Sequence, residues 1–88
     1  MSKMEYEENL FKIHMSIWDL NKAIKGSDLK HYDLMQDRFF DLINDNAKFL
    51  LECTDDSVHD LIMFTYMKIG KMAQLKIYLE KYNKICLN

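Results

Sequence analysis

The chain has 88 residues, 49% hydrophobic and 30% charged, with a formal charge of −2. That length gives one domain with room for three or four helices, and the composition is too apolar for a disordered chain and too charged for a membrane span. No apolar run approaches the roughly 18 residues a spanning helix needs, and Glu5, Glu7 and Glu8 stand where a secretory signal would be positively charged, so the expectation is a cytoplasmic protein with no membrane partner.

Proline is absent and glycine occurs only at Gly26 and Gly70, so the turn residues that β folds require are missing. The predicted class is all-α: a single domain over 1–88, built as a small antiparallel helical bundle.

In the first segment Tyr6, Leu10, Ile13, Ile17, Leu20 and Ile24 alternate spacings of four and three, the seam of a helix packed almost in line with its neighbours. A helix over 4–25 is predicted, closed by Gly26 as a left-handed stop, with Ser27 as the next N-cap. In the second segment Leu29, Tyr32, Met35, Phe39, Phe40, Leu42, Ile43, Ala47 and Leu50 share one side. The pattern runs through Asn44, Asp45 and Asn46, so one helix is predicted over 28–52 despite their weak helix propensity. Thr54, Asp55 and Asp56 offer caps for a third helix over 55–69, with Val58, Leu61, Ile62, Thr65 and Ile69 on its inner face.

After Gly70 the apolar side comprises Met72, Leu75, Tyr78, Leu79, Tyr82, Ile85 and Cys86, rotated by roughly a quarter to a third of a turn from the face before it. Either the chain turns there into a fourth helix over 71–86, or a third long helix kinks. The lack of a capping side chain favours continuity; the rotation, the glycine and Lys68 near the helix end favour the turn, so four helices are preferred, with three long helices as the alternative. The segment from Tyr66 through Gly70 to Leu79, with a tyrosine four residues before a glycine between helices, resembles part of a tetratricopeptide repeat. It makes one incomplete copy, whereas a solenoid needs several.

Candidate chemistry is sparse. Asp28 and His31, and again Asp56 and His59, have the carboxylate and histidine spacing of metal-binding bundles, but each pair sits at a predicted helix start, where capping and dipole compensation account for it. His14 borders an apolar face without a second ligand at suitable spacing. Cys53 and Cys86 lack CxxC spacing and read as reduced core thiols. There is no Gly-rich phosphate loop, nucleophile elbow or HExxH motif. The expectation is therefore no catalytic residue, no cofactor, no metal and no enzyme.

Residues 68–88 hold five Lys against one Glu, while residues 1–67 hold seven Lys/Arg against thirteen Asp/Glu. Lys68, Lys71, Lys76, Lys81 and Lys84 scatter around the helix axis where a DNA-reading helix would cluster them, and the acidic remainder opposes nucleic acid. A DNA-associated regulator using this basic segment is the third functional reading. Asp33, Asp37, Asp41 and Asp45 form an acidic ridge; an inhibitor docking a basic or nucleic-acid-binding protein through it is the second. The first follows from residues 61–67, which carry no charge around the helix, and from Phe11, Met15 and Trp18 beside the main seam of the first helix. Large apolar surface beyond what a small core absorbs marks an interface. The sequence thus predicts a noncatalytic protein-protein interaction module, such as an adaptor, inhibitor, immunity protein or small chaperone. Its partner is another protein or a second copy forming a homodimer, bound through Phe11, Met15, Trp18, Met63, Phe64 and Met67 on the first and third predicted helices.

Overall fold

A computed structural model describes residues 2–82. Five helices and no strand occur among them: α1 (Lys3–Lys25), α2 (Leu29–Asp45), α3 (Ala47–Glu52), α4 (Asp56–Lys68) and α5 (Met72–Lys81). The fold is all-α, and the chain divides into two compact units, Met1–Phe49 and Leu50–Asn88.

In the first unit α1 begins at Ser2, whose hydroxyl accepts the Glu5 N–H at 3.2 Å. Glu5 in the first turn and Lys22 and Lys25 in the last complement the helix dipole. The four-three seam packs inward: Ile13, Ile17 and Leu20 are buried, and Tyr6, Leu10 and Ile24 are half-buried. Gly26 ends the helix with φ −83° and ψ 174°. This is extended backbone, so the predicted left-handed stop is corrected: the Gly26 N–H satisfies Lys22 and Ala23 carbonyls, each at 3.2 Å, without a positive φ. The next cap is Asp28 instead of Ser27, its carboxylate accepting the N–H groups of Lys30 at 3.0 Å and His31 at 3.2 Å. Three residues thus join α1 to α2, and two helices in contact across so short a link run antiparallel.

α2 buries Met35, Phe39 and Ile43, spaced four apart. Leu29 is exposed, contrary to its predicted place on the inner face, because it is the first helical residue after the cap. The predicted helix over 28–52 is interrupted at Asn46. There the Leu42 carbonyl receives both the Asn46 backbone N–H at 3.0 Å and its side-chain Nδ2 at 2.8 Å, the local competition with helical geometry that asparagine offers. Beyond the interruption Phe49, outside the predicted face, is buried with its ring 5.3 Å from that of Tyr6.

In the second unit Asp55 caps α4, accepting the Ser57 N–H at 3.0 Å and its hydroxyl at 2.7 Å. Val58, Ile62 and Thr65 are buried as predicted; Leu61 and Ile69 are half-buried. The chain turns at Gly70, where φ is +71°. The Gly70 N–H reaches the Met67 carbonyl at 3.1 Å and the Lys71 N–H reaches that of Tyr66 at 3.0 Å, the paired bonds of a Schellman motif. α5 then starts without a side-chain cap and packs against α4 as a second helical hairpin. It ends at Lys81 with Tyr82 as C-cap; the remainder of the predicted helix, including Lys84, Ile85 and Cys86, lies outside the described residues.

Candidate functional site

The residues expected to meet a partner occupy one helix in each unit. On α1 Phe11 is 65% exposed, Trp18 54% and Met15 38%. A helix places positions 11, 15 and 18 on one stripe, and Met4, 71% exposed, lies on the same stripe about two turns before Phe11. Lys22 sits 4.3 Å from the Trp18 ring centroid, a cation–π contact at i, i+4. Beside Met15 a groove of about 300 Å³ opens between α1 and α2, with Phe11, Asp19, Met35 and Arg38 among its walls. On α4 Phe64 is 65% and Met67 51% exposed, whereas Met63 is half-buried.

Asp33, Asp37, Asp41 and Asp45 are all exposed on α2. Lys68, Lys76 and Lys81 are exposed and Lys71 is half-buried; their spacing around α4 and α5 gives no continuous basic stripe. His14 and His31 are exposed, and no group of three or more His, Cys, Asp or Glu among the described residues is placed to hold a metal ion.

His59 was expected to sit among caps at a helix start; it is 1% exposed and is corrected to a core residue. Nε2 lies 3.0 Å from the Cys53 carbonyl and Nδ1 2.7 Å from the Tyr78 hydroxyl. A carbonyl only accepts, so the N–H of the neutral ring belongs on Nε2, and Tyr78 donates to Nδ1. One imidazole thereby ties the α3–α4 connection to α5. Tyr82 stacks at 4.5 Å, tilted, on Tyr78, and Tyr66 lies 5.9 Å from Tyr78, each measured between ring centroids.

Burial, then the neighbouring Tyr82, pushes the Tyr66 hydroxyl up to about 12. Burial raises Tyr78 further still, with Tyr82, Tyr66 and Cys53 adding to it, and burial raises Tyr82. These phenols stay protonated donors across the neutral range. Next to them a recess of about 390 Å³ is lined by Leu50, Cys53, Thr54 and Lys81. The buried Cys53 thiol faces the Asp55 carbonyl at 3.9 Å.

Sequence reasoning placed Tyr78 and Tyr82 on an apolar face but missed His59 as their buried partner. The signal was present in the spacing of His59, Ile62 and Tyr66, which share one side of α4, but periodicity counted the histidine as polar.

No protein-family model, curated protein or solved structure matches the chain.

Proposed function

We propose that the chain is a noncatalytic protein-interaction module, an adaptor, inhibitor, immunity protein or small chaperone in kind, that binds a protein through the exposed apolar face of α1, with Trp18 as the anchor. The observation that carries this is the alignment of Phe11, Met15 and Trp18 on the outer side of a helix whose inner seam is already buried. Large aromatics dominate binding energy when a partner desolvates them. Phe64 and Met67 give α4 a smaller apolar face of its own. The noncatalytic reading is supported by His59, whose two ring nitrogens are both engaged, leaving neither to serve as a base.

The test compares wild type with Trp18→Ala and Phe11→Ala in hydrophobic-dye binding and in capture of proteins from the native host. A protein retained by wild type and lost from both variants, at unchanged circular dichroism, supports the reading. Equal recovery by all three, with no dye bound by wild type, overturns it.

A second reading rests on the exposure of all four aspartates along α2: an acidic inhibitor docking a basic protein. Changing Asp33, Asp37, Asp41 and Asp45 to Asn then abolishes a salt-sensitive complex, whereas binding through α1 survives the change.

A further inference from the structure

α1 carries two seams. The buried one runs through positions 6, 10, 13, 17, 20 and 24; the exposed one runs through Met4, Glu8, Phe11, Met15, Trp18 and Lys22 with the same alternation of four and three. At 100° per residue the two stripes lie roughly 160° apart. One seam meets α2 and the rest of its own unit, and the other has the spacing with which helices pack almost in line on a further helix.

Four charges bordering the outer seam are sorted end to end, while Lys12 and the half-buried Asp19, on its flank next to Met15, run in the reverse order and also face each other across an antiparallel pair. Glu7 and Glu8 lie on the N-terminal side of the apolar centre and Lys22 and Lys25 on the C-terminal side, all four exposed. They flank Met15 nearly symmetrically, about 10–15 Å away along the axis at 1.5 Å per residue. Resting on the reading of this face as a protein-binding surface, we infer that its partner is a second copy of the chain, docked with its α1 antiparallel to the first and the twofold axis near Met15. Antiparallel docking lays the Phe11, Met15 and Trp18 clusters on each other and sets Glu7 and Glu8 of each copy against Lys22 and Lys25 of the other. Parallel docking sets Glu on Glu and Lys on Lys. A twofold interface requires one patch that complements itself, and this sorting of charge about an apolar centre meets that requirement. Aromatic and methionine side chains exposed to this extent offer on the order of 400 Å² per copy. Twice that falls below the roughly 1,200 Å² of stable complexes, so the dimer is weak and concentration-dependent.

Sedimentation velocity of the full chain, from about 5 μM to 1 mM as suits so small an interface, tests this. Wild type shifts from monomer to dimer across the range. Trp18→Ala weakens the dimer by about tenfold or more. The pairs Glu7→Lys with Glu8→Lys, and Lys22→Glu with Lys25→Glu, each weaken it several-fold. The four changes combined associate more tightly than either pair alone, because they exchange the two ends and leave the antiparallel match intact, short of wild type by what the Lys22 contact with Trp18 contributes. All these side chains are exposed, and circular dichroism checks that each variant is folded. A wild type that stays monomeric throughout overturns the inference, as does a combined variant that associates no better than its two components. A monomer that still binds dye in a Trp18-dependent way overturns the second copy as partner and leaves the α1 surface standing; a monomer that binds no dye and retains no protein in a Trp18-dependent way overturns both.

Discussion

The Tyr78 hydroxyl donates to Nδ1 of His59 across 2.7 Å, joining residues nineteen apart in sequence inside the second unit. With the other ring nitrogen held by the Cys53 carbonyl, this buried imidazole has no unmet polar atom. An unsatisfied buried group costs about 1–3 kcal/mol, so the pair stabilises the hairpin only while both members remain.

Tyr78→Phe removes the donor and strands Nδ1, and is expected to lower stability by about 1–3 kcal/mol. His59→Phe strands the Cys53 carbonyl and the Tyr78 hydroxyl together and is expected to cost more. The double variant should cost less than the sum, since the second change removes a group that the first left unpaired. Urea midpoints followed by circular dichroism measure all three, provided the slope is unchanged. Strict additivity would mean that the two side chains do not interact.

How far the fold was legible from sequence follows from what periodicity measures. The inner seam of α1 was readable because Ile13, Ile17 and Leu20 are apolar, so their burial needs no partner beyond other apolar atoms. The turn at Gly70 was readable because a helical face rotates there. Tyr78 was readable on the apolar side of α5, but His59 was not readable as interior, because its burial depends on a hydrogen bond between two helices that no local pattern encodes. Asn46 hid for the opposite reason: the apolar stripe continues past it, while its side chain takes up a backbone carbonyl. At Gly26, Ser27 and Asp28 the sequence offered two caps, and only the backbone selects the aspartate. For the candidate site, the residues of the outer face were legible as apolar excess, but the exposure of Phe11 and Trp18 against the partial burial of Met63 was not.

The glycines separate by conformation. Gly70→Ala places a Cβ where nothing lies within 4 Å, so its cost is the left-handed backbone alone, about 1–2 kcal/mol; Gly70→Asn should cost less, since asparagine tolerates this region better. Gly26→Ala meets only ordinary contact, at 3.5 Å from the Ala23 carbonyl, with φ negative. It should be neutral or stabilising by a few tenths of a kcal/mol through a less flexible unfolded chain. Thermal denaturation of the three variants distinguishes these cases, and equal losses at both glycines would contradict the assigned conformations.

Stability is expected to fall at both pH extremes for separate reasons. The Tyr66 hydroxyl is raised from 10.0 to about 12 in the folded chain. The unfolded chain therefore loses this proton first, and the contribution is full below pH 10 and lost progressively as pH rises through about 12. Tyr78 and Tyr82, raised in the same sense, deepen that loss. At the acid end the Ser57 hydroxyl and N–H hold Asp55 below its ordinary 3.8, so its capping contribution is present above that value and fades as pH falls below it. Urea midpoints across pH, with tyrosinate absorbance recorded in parallel, check both limbs. Tyr66→Phe should flatten the alkaline limb and leave the acid limb unchanged.

Adjacent positions on α1 provide the sharpest separation of folding from binding. Ile17 is 4% exposed and Trp18 is 54% exposed, so one faces the interior and its neighbour faces solvent. Ile17→Ala removes buried methyl groups and leaves a cavity, an expected loss of about 2–4 kcal/mol. Trp18→Ala removes a larger side chain yet forfeits the contact with Lys22, about 0.5–1 kcal/mol for an exposed cation–π pair, and only the partial burial of a ring left 54% exposed, so it should cost less than Ile17→Ala. A core role for Trp18 would reverse that order, because truncating a buried tryptophan costs about 3–5 kcal/mol. Chemical denaturation of the two variants at low concentration, where association does not contribute, therefore decides whether the largest side chain of α1 belongs to the core or to a partner. Near-native stability in Trp18→Ala combined with lost dye binding or self-association assigns it to the partner.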